Sequence, residues 1–173
     1  MDNQKKDRKL RSANMARRKG IENERDPYLN KEEYPDPAVC KRCRALYHGK
    51  KWIHPDLAGA VLPAAEKKEV LCPACLKIKE NYPEGFLTLE GAFLNEHKEE
   101  VLNLIRNKED IAARINPLER IIEIKERPAA IEITTTTEKL AQRIGQILKK
   151  AFQGDVAYKW SGDTKLARVT WVR

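Results

Sequence analysis

The chain has 173 residues, 35% of them charged, and a formal net charge of +8. No apolar run approaches the ~18 residues that suggest a membrane span, and the charged start has no apolar segment of signal-peptide type, so a cytoplasmic protein with no membrane partner is expected. The length allows one compact domain, or a small metal module beside a slightly larger domain.

Where the charge sits matters more than its sum. Between Gln4 and Gly20, eight basic residues (Lys5, Lys6, Arg8, Lys9, Arg11, Arg17, Arg18 and Lys19) stand against a single acid, Asp7. That segment carries +7 and leaves +1 for the rest of the chain. Basic arms with few apolar residues are usually disordered alone and often bind polyanions. The plainer alternative is a tail that only aids solubility; the concentration of charge favours an arm that orders against RNA phosphates. Pro27, Pro35 and Pro37 then hold their preceding residues out of helix, so 1–37 reads as a basic, disordered arm and linker.

Residues 38–83 contain all four cysteines of the chain. Cys40-Lys41-Arg42-Cys43 and Cys72-Pro73-Ala74-Cys75 each place two thiols two residues apart, so that both can turn toward one point. Two such pairs make a closed four-sulfur site of the kind zinc prefers; an iron centre or two labile disulfides are the alternatives. Four protein ligands leave no open position, so the metal is expected to be structural. His48 could replace a sulfur, but four sulfurs already fill the shell, and a surface or supporting role suits it better. His54 and His97 carry weaker signals still.

Gly49 marks the turn of a short hairpin after the first pair. Lys41, Arg42, Arg44, Lys50 and Lys51 follow one another without an acid, and Tyr47 and Trp52 are interleaved. Cations find phosphates and flat rings can stack on bases; the rings are read mainly as cover for the metal site, the cations as nucleic-acid contacts. Residues 55–70 read as an irregular loop. A short helix opens at the second pair and stops before Pro83. A hairpin followed by a helix-borne pair suggests a small treble-clef or ribbon-like zinc module.

Residues 84–173 read as an α+β domain. A strand at 85–91 leads to a helix over 92–113, with Leu94, Val101, Leu104, Ile105 and Ile111 near one face. Strands follow at 118–126, where Ile122 and Ile124 alternate with charges, and at 129–135. Thr135-x-x-Glu138 resembles a capping box opening a second helix, whose stripe is Leu140, Ile144, Ile147, Leu148 and Ala151. Strands at 156–160 and 166–172 close the chain through a turn at Ser161–Thr164. The result is a sheet with one face covered by two helices and the other free to meet a partner.

No Gly-rich phosphate loop, no Gly-x-Ser-x-Gly elbow and no His-Glu-x-x-His pair occurs. No catalytic residue is assigned and the chain is not read as an enzyme, although spacing alone leaves room for a nuclease using scattered carboxylates.

The two cysteine pairs and Asn81-Tyr82-Pro83-Glu84-Gly85-Phe86-Leu87-Thr88-Leu89-Glu90-Gly91 resemble small uncharacterised bacterial proteins with paired N-terminal cysteines, over about residues 26–173. Together with 144–154 and 167–173, they are more distantly similar to the large-ribosomal-subunit export adaptor of archaea and eukaryotes, the nonsense-mediated-decay protein three family. The resemblance implies binding to the large ribosomal subunit or its ribosomal RNA, with ribosomal proteins as further partners. The resulting expectation is a zinc-stabilised RNA-binding protein of the ribosome. The alternatives are a protein-binding adaptor without nucleic acid and a metal-dependent nuclease.

Overall fold

A computed structural model describes Tyr28 and residues 34–59, 68–161 and 166–173. The chain divides into two compact units, Met1–Lys31 and Glu32–Arg173. The arm cations Lys5 to Lys19 and residues 60–67 and 162–165 lie outside the described residues.

Glu32–Arg173 carries two sheets. The first has the order β3-β2-β1-β4, from β1 (Ala38–Cys40), β2 (Leu46–His48), β3 (Lys51–Ile53) and β4 (Lys68–Val70). β2 and β3 form the expected hairpin. Gly49 and Lys50 both have positive φ, 57° and 63°, which is the two-residue turn whose twist matches its strands. The stretch expected as an irregular loop instead holds α1 (Pro55–Ala58) and β4. β4 pairs parallel to β1, with Cys40 opposite Val70. Three residues are too few to show a periodicity, which is why the sequence does not announce this strand. Then α2 (Pro73–Glu80) runs to Asn81, whose φ of 50° ends it.

The second sheet has the order β6-β7-β5-β9-β8, from β5 (Gly85–Glu90), β6 (Ile121–Glu126), β7 (Ala130–Thr135), β8 (Asp155–Trp160) and β9 (Ala167–Val172). Its helices are α3 (Phe93–Ile115) and α4 (Glu138–Phe152). β5-α3-β6 is a split β-α-β unit with β7 between its strands. β7-α4-β8 is a second, with β5 and β9 between. β9 pairs parallel with β5, and the other neighbours in this sheet are antiparallel.

Leu87, Leu89, Ile131, Ile133, Val169 and Trp171 point to one face and pack with Val101, Ile105, Leu140, Ile144 and Leu148. One face of this α+β sheet is thus covered by two helices, as the pattern indicates. Side-chain periods of two in the strands and 3.6 in the helices bring these residues together.

Four details differ from the sequence reading. On α3, Ile111 is exposed, whereas Leu102, Ala112 and Ala113 are buried. The buried arc is centred away from Ile111, and small alanines extend it. In β6 the register shifts between Ile121 and Glu123, so Ile121 and Ile124, not Ile122, pack on the core. The cap of α4 is Thr137, whose hydroxyl accepts from Leu140 N at 3.3 Å; Thr135 is still a strand residue paired with Gly85. Finally, α4 buries Ala141 and Gly145 rather than Ile147 and Ala151. The reason is close approach, since a Cβ on Gly145 would stand 2.7 Å from Val169 Cγ1.

That close approach reverses an ordinary rule. Glycine to alanine inside a helix normally stabilises by about 1 kcal/mol. Gly145→Ala should instead destabilise by about 1–3 kcal/mol through overpacking, while Gln146→Ala on the exposed side should be near neutral. Urea denaturation of the two variants measures both.

Candidate metal centre and cationic knuckle

Both cysteine pairs are delivered by backbone hydrogen bonds. Cys40 ends β1; Arg44 N donates to Cys40 O at 2.9 Å and Cys40 N to Ala45 O at 2.8 Å. These bonds close a tight turn around Lys41 and Arg42, and Arg44 takes a φ of 62° to complete it. Lys41 N donates to Val70 O at 2.9 Å, which ties β4, and the second pair just beyond it, to the first. Cys72 caps α2, with Pro73 at the first helical position, where a missing N–H costs nothing. Cys75 then sits in the first turn. A pair borne by the β1–β2 turn thus faces a pair borne by the start of α2.

The four sulfurs lie within 4.8 Å of one another. Cys43 Sγ and Cys72 Sγ are 3.6 Å apart, against about 2.0 Å in a disulfide, and all four cysteines are free. Cys40, Cys72 and Cys75 are buried and Cys43 is partly so. A tetrahedral metal with bonds of about 2.3 Å sets its sulfurs about 3.8 Å apart, so the donor set fits a closed site. Backbone N–H groups already point at two sulfurs: Cys72 N at Cys40 Sγ and Cys75 N at Cys72 Sγ, each 3.4 Å.

The thiols cannot all ionise alone at this spacing. Hydrogen bonds from Cys43, Cys72 and Cys75 hold the Cys40 thiol far below its usual range. Cys43 falls to about 6, its hydrogen bond with Cys40 opposing the fall and those with Cys72 and Cys75 producing it. Cys72 and Cys75 are pushed up, chiefly by their hydrogen bonds with Cys40 and Cys43. A cation bound among them would remove the conflict, since a metal holds its thiol ligands deprotonated.

The histidines stand outside this shell. His48 is exposed, and its Nδ1 lies 2.8 Å from Asp36 Oδ1. Asp36 Oδ2 accepts from Gly49 N at 2.8 Å, so the carboxylate braces the hairpin turn. The hydrogen bonds with His48 and Gly49 hold the Asp36 carboxyl below its usual range. His54 Nδ1 accepts from Asp56 N and caps α1, and His97 stacks on Phe93 at 4.1 Å. Tyr47 and Trp52 do cover the site: Trp52 packs against the cysteine cluster, and both rings meet Tyr34 at centroid distances of 5.2 Å.

Among the cations, Lys41, Arg42, Arg44, Lys50 and Lys51 are all exposed. Arg44 is engaged with Glu69 at 2.9 Å, a surface pair of small energy. The side chains of Lys41, Arg42 and Lys51 make no ion pair among the described residues.

Two supporting features carry no sequence signal. Leu118, from the loop before β6, packs against the cysteine cluster. Lys77 of α2 is buried, with its Nζ 2.7 Å from buried Glu84 and 3.3 Å from Thr136 O. In the sequence Lys77 looks like any solvated helix lysine, and only the fold shows its partner.

No family model, curated protein or solved structure matches this chain. No helix among the described residues is long and apolar enough to cross a membrane.

Cys72→Ser should lose the bound metal and melt the first sheet, because metal binding there is folding energy. His48→Ala should keep the metal at one per chain. Metal analysis of purified protein, with thermal melts, reads both; a metal-free Cys72→Ser protein with an unchanged melt would contradict the assignment.

Proposed function

We propose that this chain is a cytoplasmic, zinc-stabilised RNA-binding protein that associates with the ribosome through the large subunit, in assembly, surveillance or dormancy, and is not an enzyme. The observation that carries the RNA-binding reading is the knuckle itself. Lys41 and Arg42 project from the tight turn between Cys40 and Cys43, and Lys51 opens β3 opposite His48 at the far end of β2. A rigid turn bearing unpaired cations holds charge in place for phosphates at little entropic cost. The basic arm supplies further cations next to this module in the chain. Zinc is favoured over iron because a closed four-thiolate site with a structural role needs no redox metal. The ribosomal assignment rests on the resemblance of the cysteine pairs and of 81–91, 144–154 and 167–173 to the large-subunit export adaptor.

A protein-binding adaptor is the second reading. It is favoured by Ile115 and Trp160, which are 78% and 57% exposed. Deleting residues 1–20 separates the two readings, since it removes the arm cations and leaves any protein interface of the folded unit in place.

Binding to duplex RNA should weaken steeply with salt. Replacing Lys41, Arg42 and Lys51 with glutamine should flatten the logarithmic salt slope by about 0.9 for each phosphate that is no longer neutralised. Fluorescence anisotropy across a salt series measures this. Salt-independent affinity would refute the electrostatic mechanism.

A further inference from the structure

The face of the second sheet opposite the helices carries an open groove, walled on one side by Asn81 and Pro83. Pairing registers align one row across it. Glu123 on β6 stands opposite Thr134 on β7, Thr134 opposite Phe86 on β5, Phe86 opposite Arg168 on β9, and Arg168 opposite Lys159 on β8. The flanking residues Leu87, Ile133 and Val169 are buried in the core, so the alternation of the strands turns this row outward. The row crosses the floor of a groove of about 510 Å³, also lined by Thr88, Lys125, Glu132 and Thr170.

The charges along this groove do not balance. Its carboxylates, Glu123 and Glu132, are taken by Lys125 at 2.8 Å and Arg127 at 3.1 Å. Lys159 and Arg168 are left over, and neither makes an ion pair among the described residues. They are direct cross-strand neighbours, and like charges in that position cost stability. An anion bridging the two would remove the cost. Beside them, the Arg168 guanidinium lies 5.3 Å from the centroid of the half-buried Phe86 ring. A planar cation on an aromatic ring offers a surface on which an unpaired base can stack.

We infer that this open sheet face is a binding platform for single-stranded RNA, with a phosphate held between Lys159 and Arg168 and its base stacked on the Phe86–Arg168 pair. The inference rests on the RNA-binding reading and adds to it a second surface of different selectivity. The knuckle and arm supply cations that the phosphates of duplex RNA can satisfy. The sheet face needs an unstacked base. Protein is the poorer occupant, because this row presents one ring and surplus positive charge rather than an apolar patch.

The test uses the full chain, with a short fluorescein-labelled oligouridine and a fluorescein-labelled duplex RNA as probes, in fluorescence anisotropy at low salt. Phe86→Leu keeps an apolar side chain but removes the ring, and should weaken oligouridine binding about tenfold. Phe86→Tyr should stay close to the parent protein. The double variant Lys159→Gln/Arg168→Gln alters only exposed side chains, and should flatten the oligouridine salt slope by about 0.7, the value for one phosphate no longer neutralised. Duplex binding should be unchanged in all three. If both the ring-loss and charge-loss variants bind oligouridine like the parent while duplex binding persists, the sheet platform is wrong and the RNA-binding reading stands. If the parent protein binds neither probe, both fall together.

Discussion

Four sulfurs gathered within 4.8 Å set the terms for the first half of the described chain. The sheet around them has strands of three residues; Cys40, Ala45, Cys72, Ala74 and Cys75 cluster at the sulfurs, and Ala38, Val39, Leu46 and Tyr47 are buried on the strands beside them. An apolar core of this size leaves little surplus over the conformational entropy of ordering the segment. A metal bound among the sulfurs would add binding energy available only to the folded state. The tight turn at Lys41 and Arg42, the parallel β1–β4 pairing and the start of α2 at Cys72 are all ways of bringing sulfur to one point.

The same centre is joined to the second sheet. Leu118 reaches it from the loop before β6, while Thr136 accepts from Arg120 N and donates to Leu118 O, fixing that loop against the end of β7. Lys77, two residues past Cys75, buries its ammonium against Glu84, just before β5. A buried pair of this kind is weak evidence for stability but is costly to break. Its value here is positional: α2 opens on the metal site and packs through Lys77 on the larger core. Loss of the metal would therefore be felt at the start of β5 as well as in the first sheet.

The parts legible in the sequence were those with a repeating or paired signal. Paired cysteines marked the four-sulfur cluster, bounding glycines marked β5, alternation marked β7 and β9, and helical spacing marked α3 and α4. The parts that were not legible are three-dimensional. β4 is too short to show a period. The inward turn of α4 comes from Gly145 settling on Val169, and a glycine in a helical stripe gives no hint of what it approaches. Thr137 and not Thr135 caps α4 because the extent of strand pairing decides where the strand yields to the helix. The pairing of Lys77 with Glu84, and of Lys159 opposite Arg168, depends on which residues the topology makes neighbours. Cysteine spacing spoke clearly because metal geometry is local; the cations did not, because their partners are set by the fold.

Sedimentation of cell extract through a density gradient at low and at high salt, following this protein, tests the proposed role most directly. The account predicts co-migration with large ribosomal subunits or whole ribosomes at low salt, and release to the top of the gradient at high salt, as counterion competition requires. Migration as free protein at both salts would contradict it.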